Sequence, residues 1–468
     1  MSNREKFLIL CSLVVMGPAF GGLLRAGDDR TNIRGVGMGR TTVAVSRGLD
    51  AVGINPANLG FSDKATVTLG IVPAAIHFGS DFFTYKLYQD YFTGVKTDSG
   101  TFARSLTDAD KQQILNSFPG SVGHITGDAV SRPLGLSIRF GSAVTIALTF
   151  TEHVTGSAEL PNEYLQFLFY GNTPGSSYDF DGSRGSMAWT REFAVSAGFE
   201  LPDFGILESL YGGAAVKVVH GFAYYELSRF NTKLSTSPYG VLDGHVNMLG
   251  RSASIDAFGG SRGSSFSIFP APAGTGIGVD LGLTGEVRDG MLLAISVTDI
   301  GSMRWTRNVQ EIIGGGAIHF EDPLNKGQRD SVMDAVHGEV YDGDPFTTMM
   351  PTTIRMGVAL EARKVSWIRH AVPLDVTLAF EYDQGLVETP GTSIHPRLSA
   401  GMEYRPWKFL PLRTGFSWGG DTEFSFALGF GLNFGVVDFD LASDNLEWLF
   451  APESFSYGSI AVGMKFRI

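Results

Sequence analysis

From Phe424 the chain reads FSFALGFGLNF, a two-residue alternation that sets Phe424, Phe426, Leu428, Phe430, Leu432 and Phe434 on one face and Ser425, Ala427, Gly429, Gly431 and Asn433 on the other. Successive side chains of a strand point to opposite faces, so this is a strand with one large apolar face and one small or polar face. The alternation recurs at 144–150, 193–199, 354–360 and 460–468. LDVTLAFEYD, from Leu374, places Leu374, Val376, Leu378, Phe380 and Tyr382 against Asp375, Thr377, Ala379, Glu381 and Asp383. A chain patterned this way is all-β, and its faces suit a wall between lipid and a polar lumen.

A secreted β-sandwich also alternates, but here the apolar faces are uniformly large and aromatic. The last strand, SIAVGMKFRI, runs to the terminal residue with Ile460, Val462, Met464, Phe466 and Ile468 on one face, as in the closing strand of an outer-membrane barrel. Beyond the N-terminus no stretch is apolar enough for a spanning helix. A membrane-embedded mature chain must therefore be a closed barrel, which satisfies every backbone group in lipid. With 468 residues and only 18% charged, there is material for one large closed sheet.

Arg4 and Lys6 precede an apolar run from Phe7 to Leu24, and Ala26 stands before the charged GDDR. Residues 1–26 read as a cleaved secretory signal; a retained anchor is disfavoured by Pro18 and the Gly-rich end. Cys11 follows Leu10 where a lipoprotein signal calls for a small residue, and it is the chain's one cysteine, so the mature chain has no disulfide or thiolate site. Three basic residues (Arg4, Lys6, Arg25) and one acidic residue (Glu5) leave with the signal, taking the formal net charge from −12 to −14. Such an acidic chain is a poor partner for nucleic acid.

The Gly-rich RGVGMGRTTVAV, from Arg34, is not a phosphate loop, because a P-loop needs Gly at 34 and Lys at 40 where this chain has Arg34 and Arg40, and the dinucleotide fingerprint needs Gly at 40. A second Gly-rich stretch, GTGIGVDLGLTGEV from Gly274, keeps strand spacing: Ile277, Val279, Leu281 and Leu283 face one way and Gly276, Gly278, Asp280 and Gly282 the other. The next strand ends in Trp305, at the height of an aromatic girdle. Asp179-Phe180-Asp181-Gly182 begins like a calcium loop but lacks its spacing and final Glu, and reads as a turn. No Ser/His placement points to an enzyme, and neither cofactor nor metal is expected.

Between strands lie four long insertions. SLTDADKQQILNSF has Thr107 as an N-cap with Asp110 three residues later, and LPNEYLQFLF, from Leu160, reads as a second short helix. A Ser/Gly-rich span at 231–265 and an acidic span at 314–345 complete the set, which belongs on the extracellular side as a cap or docking surface. Leu165, Phe167, Leu168, Phe169 and Tyr170 are candidates for a greasy ligand groove, although a helix packing its apolar face on the barrel explains them more simply. In the lumen, Asp375 and Glu381 are expected to pair with arginines such as Arg355, or to form a solvated charged wall, the reading favoured here.

The segment Gly37-Met38-Gly39, Val43-Ala44-Val45 and Asn55-Pro56-Ala57-Asn58-Leu59 resembles the N-terminal plug of FadL-type outer-membrane proteins. That superfamily includes fatty-acid channels, aromatic-hydrocarbon channels and PorV-type accessory proteins of secretion. GTGIGVDLGLTGEVRDGMLLAISVTDIGSMRW also resembles a related outer-membrane family of unassigned function from Bacteroidota and Chlorobi. Arg40 departs from the small residue usual after GMG. The resemblance implies a transmembrane antiparallel β-barrel of about 14 strands spanning 64–468, with 27–63 as a plug in the lumen and short helices in outer loops. It implies the bacterial outer membrane, with membrane lipid and, through the C-terminal strand, the barrel assembly machinery as partners. Passive uptake of a hydrophobic, fatty-acid-like small molecule is the favoured function. The alternative is a PorV-like barrel that docks a secreted protein.

Overall fold

The computed structural model describes residues 28–468 apart from 62–64, 98, 142–143, 203–204, 206, 259–266, 268, 288–289, 322–325, 329, 331–337, 366–374, 390–392, 421–423 and 447–455. The signal segment 1–26 lies outside the described residues. Fourteen antiparallel strands form one closed barrel: β1 Val67–Ser80, β2 Val122–Phe140, β3 Val144–Pro161, β4 Arg184–Leu201, β5 Leu207–Thr236, β6 Gly274–Val287, β7 Met291–Trp305, β8 Thr353–Glu361, β9 Val376–Gly385, β10 Arg397–Trp407, β11 Leu410–Gly419, β12 Phe424–Asn433, β13 Val437–Ser443 and β14 Tyr457–Arg467. Each pairs with its neighbour in sequence, and β1 closes on β14 with Leu69 opposite Phe466 and Ile76 opposite Ile460. Closure removes every barrel edge, and a sandwich is ruled out.

The faces are reversed relative to a water-soluble sheet. Phe380 is 63% exposed while neighbouring Glu381 is 4% exposed, and Ile460 is 57% exposed beside Ala461 at 1%. Large apolar side chains cover the outside and polar ones fill the inside, the arrangement that hydrocarbon requires.

The two ends of the barrel also differ. Short turns join β2 to β3, β4 to β5, β6 to β7, β10 to β11 and β12 to β13, all at the end where the chain terminates. The opposite end carries the longest connections, 81–121 and 306–352, while the 362–375 link between β8 and β9 lies at the short-turn end. After β1 come α2 (Tyr85–Phe92) and α3 (Asp108–Leu115), α1 being a five-residue turn of helix inside the barrel, Ile33–Gly37. Thr107 caps α3 as its sequence foretells: its hydroxyl accepts from Asp110 N at 3.2 Å, and its own N–H donates to the Asp110 carboxylate at 2.9 Å. The Thr107 backbone N–H, together with its side chain, holds the Asp110 carboxyl below its usual pKa. α4 begins at Glu163 rather than Leu160, because β3 continues to Pro161, paired with Val122. Within the 231–265 span, of which 259–265 lie outside the described residues, the outer half of β5 pairs with Leu242–Ser254, which pairs with Gln310–Phe320, making a small sheet above the barrel over Val246, Met248, Ile312 and Ile318.

Trp305 does not stand in a lipid-facing girdle. Opposite Asp280 the strand β7 carries an extra residue, Asp299, at φ 58°, and the register shifts there. A bulge of one residue exchanges the two faces beyond it. Trp305 therefore turns inward, 1% exposed, against Tyr224 and Phe346, with its indole N–H donating to Thr348 Oγ1 at 3.0 Å.

Candidate functional site

The lumen is filled by the chain's own N-terminal segment. Asn32 caps α1, its side chain accepting from Gly35 N at 2.9 Å. Gly39 and Arg40 then take left-handed φ values of 67° and 66°, turning the chain beneath β11. Asn55 and Asn58 knot the far half of the segment. Their side-chain amides donate to Val43 O at 3.0 and 2.8 Å, and both bond Thr284 of β6 at 2.9 and 2.7 Å. Asn55 Oδ1 also accepts from Ala57 N at 3.2 Å, and Pro56 starts the turn that follows. Leu59 packs with Leu49, Ala51, Val52 and Ala147.

The wall is shaped for this segment, which explains the glycines of the inner strand faces. A Cβ on Gly213 would stand 2.3 Å from Pro56 C, one on Gly401 2.2 Å from Met38 O, one on Gly282 2.0 Å from Asn55 Oδ1, and one on Gly429 3.0 Å from Gly37 Cα. Gly39 in turn lies so close to β11 that its own Cβ would be 2.6 Å from Phe416 N.

Charged side chains lock the fit. Arg30 pairs with Asp128 of β2 and with Asp444, each at 2.9 Å. Arg34 grips Glu403 of β10 with two bonds of 3.0 Å; Glu403 also receives Arg413 at 2.7 Å and Arg405 at 2.6 Å, and Arg413 passes on to Asp440 at 2.6 Å. Lys465 of β14 returns to the segment at Asp50, 2.5 Å away. Arg132 reaches Leu49 O at 3.1 Å and Val52 O at 3.3 Å. Such groups tolerate burial only with partners, and removing one member of a buried pair costs about 3–5 kcal/mol.

The lumen residues expected from sequence land differently from one another. Glu381 is not a solvated wall charge: it accepts the backbone N–H groups of Thr42 and Val43, the latter at 2.8 Å, and the Thr42 hydroxyl at 3.0 Å, with the Arg355 charge attracting it from the neighbouring strand. Arg355 also pairs with Asp383 at 3.0 Å and donates to Thr298 at 2.8 Å. Asp375 precedes β9 at the short-turn rim and meets Arg363 at 3.1 Å, lining a cavity at the mouth of the lumen with Arg34 and Arg47 of the N-terminal segment. Of the greasy-helix residues, Phe167 packs edge-on to Tyr178 and Phe180, while Leu168 is 69% exposed. Asp179 pairs with Lys233 and accepts from Asp181 N, an ordinary turn. Among the described residues no group of three or more His, Cys, Asp or Glu is spaced for a metal ion.

Sequence reading passed over Arg30, Arg132, Lys217, Glu403, Arg413 and Asp440. Arg30 lies in the N-terminal segment and carries no strand signal; the signal of the others is a charge on the inner parity of an otherwise apolar strand, as in VDFDLAS from Val437. Lys217 shows the extreme: fully buried, it meets Glu192 at 3.3 Å, Asp280 at 3.0 Å and Asp299 at 2.8 Å. Beyond it, toward the long loops, Trp189, Phe222, Tyr224, Met303, Trp305, Phe346 and Met350 form a dense apolar cluster.

One seam interrupts the wall. β1 carries Val72-Pro73 and β2 carries Arg132-Pro133, and these four residues face one another outside the ladder, between the pairs Ile71–Leu134 and Ala74–Ser131. Val72 takes φ 47°, and neither proline has an N–H to give. Val72 and Leu134 face outward, about half exposed, while Leu49 and Ile33 of the inner segment lie just behind.

A family profile described as "Family of unknown function (DUF5723)" matches residues 56–444. The chain belongs to this family. No curated protein matches it. Among solved structures, it is similar to the Ralstonia pickettii toluene transporter TbuX (TM-score 0.48, 12% identity, 96% of this chain and 100% of that one), the P. putida toluene transporter TodX (0.44, 11%, 95% and 97%) and a Pseudomonas aeruginosa FadL homologue (0.43, 13%, 96% and 100%).

Proposed function

We propose that this member of the family is a bacterial outer-membrane channel for the passive uptake of hydrophobic small molecules, fatty acids or aromatic hydrocarbons, with residues 1–26 cleaved as a signal and residues 27–63 acting as a movable plug. The observation that carries this reading is the opposed proline break between β1 and β2. At membrane depth an unpaired backbone group costs several kcal/mol, and irregular backbone persists only where it borders protein or a cavity. Here the break has the plug directly behind it, so a shift of Leu49 and Ile33 joins the lumen to lipid. An apolar molecule entering from the loop end, first held by the outward Leu168 and Tyr170 of α4, leaves sideways into hydrocarbon without crossing water. Arg132, beside Pro133, ties the seam to the plug through Leu49 and Val52, so seam and plug move together.

The test is uptake of labelled oleate and of toluene by host cells lacking their own channel for them. Wild-type protein is expected to support uptake, and the double variant Pro73→Val/Pro133→Val to reduce it. Two restored hydrogen bonds, about 0.5–1.5 kcal/mol each, shift the open-to-closed balance by roughly 5- to 150-fold. Uptake no better than in barrel-free cells, with a secreted protein retained on the purified barrel, would sink the conduit in favour of docking.

A further inference from the structure

The connection after β1 leaves the barrel on its lipid side. Outward residues of β1 stay apolar from Leu69 through Ile76 to Phe78, while His77 between the last two is buried opposite Asp128 of the lumen. The same parity runs on past the strand. Phe78 stands opposite Gly127 and Ser80 opposite Ile125. Phe82 then meets Gly123, where a Cβ would lie 2.2 Å from Phe82 Cδ1 and 2.8 Å from Phe118 Cε1. Since successive side chains of a strand alternate, Gly123 shares the outward face of β2 with Gly127, not the inward face of Asp128. Phe82 precedes α2 and Phe118 follows α3, and their rings stack with centroids 4.2 Å apart. This stack seats the connection against the outside of the wall rather than over the lumen.

We propose that α2 is an interfacial anchor, its aromatic face sunk into the boundary between headgroups and acyl chains of the leaflet on the long-loop side. The first argument is depth. From Leu69 to Phe78 is ten residues, and a tilted strand of about 9–11 residues crosses the hydrocarbon core. The lipid band of β1 therefore ends at Phe78, and α2 begins just beyond it at headgroup height. The second argument is the helix itself. Tyr85, Tyr88 and Phe92, each more than two-fifths exposed, fall on one face at helical spacing. Phe83 extends that face, its ring 6.4 Å from Tyr88 and 5.8 Å from Phe92, whereas Leu87 is buried on the other side. Lys86 and Asp90 pair with each other at 3.2 Å along its flank. Val95 and Phe102, directly opposite one another in the hairpin that follows, add two more half-exposed apolar side chains. An exposed apolar patch of this kind marks an interaction surface, and aromatic rings with polar tips settle at a membrane–water boundary. Continuity with the lipid-facing side of β1 makes lipid, rather than a soluble protein, the occupant. Because β1 also carries Val72-Pro73, the anchor holds the seam strand at a fixed depth, whatever passes through the lumen.

The experiment is spin-label accessibility in vesicles of phosphatidylethanolamine and phosphatidylglycerol. Single cysteines are placed in a Cys11→Ser background, which has no other cysteine, and labelled with a nitroxide. Collision with oxygen, which concentrates in hydrocarbon, is compared with collision with a water-soluble nickel chelate. Phe78→Cys on the lipid wall should favour oxygen, and Lys233→Cys, well exposed on the outer sheet, should favour nickel. Tyr88→Cys and Phe92→Cys are expected on the oxygen side, shallower than Phe78→Cys, and Lys86→Cys with Lys233→Cys. Should a cysteine variant fail to fold, a diazirine dissolved in the bilayer photolabels the unaltered protein, and residues 85–92 are expected to be modified together with Phe78. Nickel-dominated collision at Tyr88 and Phe92, equal readings at Lys86 and Tyr88, exclusion of both reagents by a covering protein segment, or photolabelling confined to the strands overturns the proposal.

Discussion

Replacing Gly415 with valine is expected to expel the N-terminal segment while leaving the barrel closed. A Cβ at this position would lie 2.3 Å from Met38 C and 2.6 Å from Gly39 N. Both are backbone atoms, so no rotamer change relieves the clash. Gly415 has no left-handed φ and sits opposite Gly401 in a regular ladder, so β11 itself accepts valine, a good strand former. The strain falls on the plug. Overpacking costs about 1–3 kcal/mol where side chains can move and more where they cannot, and here the nearest neighbours are main chain. The purified variant should keep the heat-sensitive migration of a folded barrel, gain ion conductance in planar bilayers, and become open to trypsin at Arg34, Arg40 and Arg47. Wild-type protection of those arginines in Gly415→Val would mean that the segment does not approach the wall as described.

The same glycines mark what the sequence could and could not convey. That Gly429 and Gly282 belong to an inner face follows from two-residue spacing alone. That they are glycines rather than serines or alanines follows only from the backbone of the N-terminal segment pressed against them, a contact between residues hundreds of positions apart. Trp305 was misplaced for a local reason, the extra residue at Asp299, which leaves no mark on an alternation read from one strand at a time. Strand parity puts Glu381 on the inner face, but its backbone partners cannot be read from neighbouring strands. With the N-terminal segment in place, the Glu381 carboxylate meets two backbone N–H groups that would otherwise be buried without acceptors. Strand parity predicts which side a charge faces, and the plug decides what it meets there.

Glu403→Ala should produce the second large effect, because one carboxylate there serves three guanidinium groups. Arg34 comes from the plug, Arg405 from the same strand and Arg413 from the next. Glu403 is 1% exposed, so its removal leaves those cations facing one another, with Asp440 still offsetting Arg413. Breaking a buried pair in this way costs about 3–5 kcal/mol, enough to lower the thermal midpoint of the barrel and to loosen the plug together. Arg34→Ala separates the two consequences. It removes the segment's ion pair to β10 but leaves Glu403 with Arg405 and Arg413, so trypsin access at Arg40 and Arg47 should rise with a smaller fall in barrel stability. The double variant should be far from additive, since both changes remove the same contact. Stability within about 0.5 kcal/mol of wild type for Glu403→Ala, the range of an ordinary surface change, would mean that water reaches this network and that the wall does not latch the plug through it.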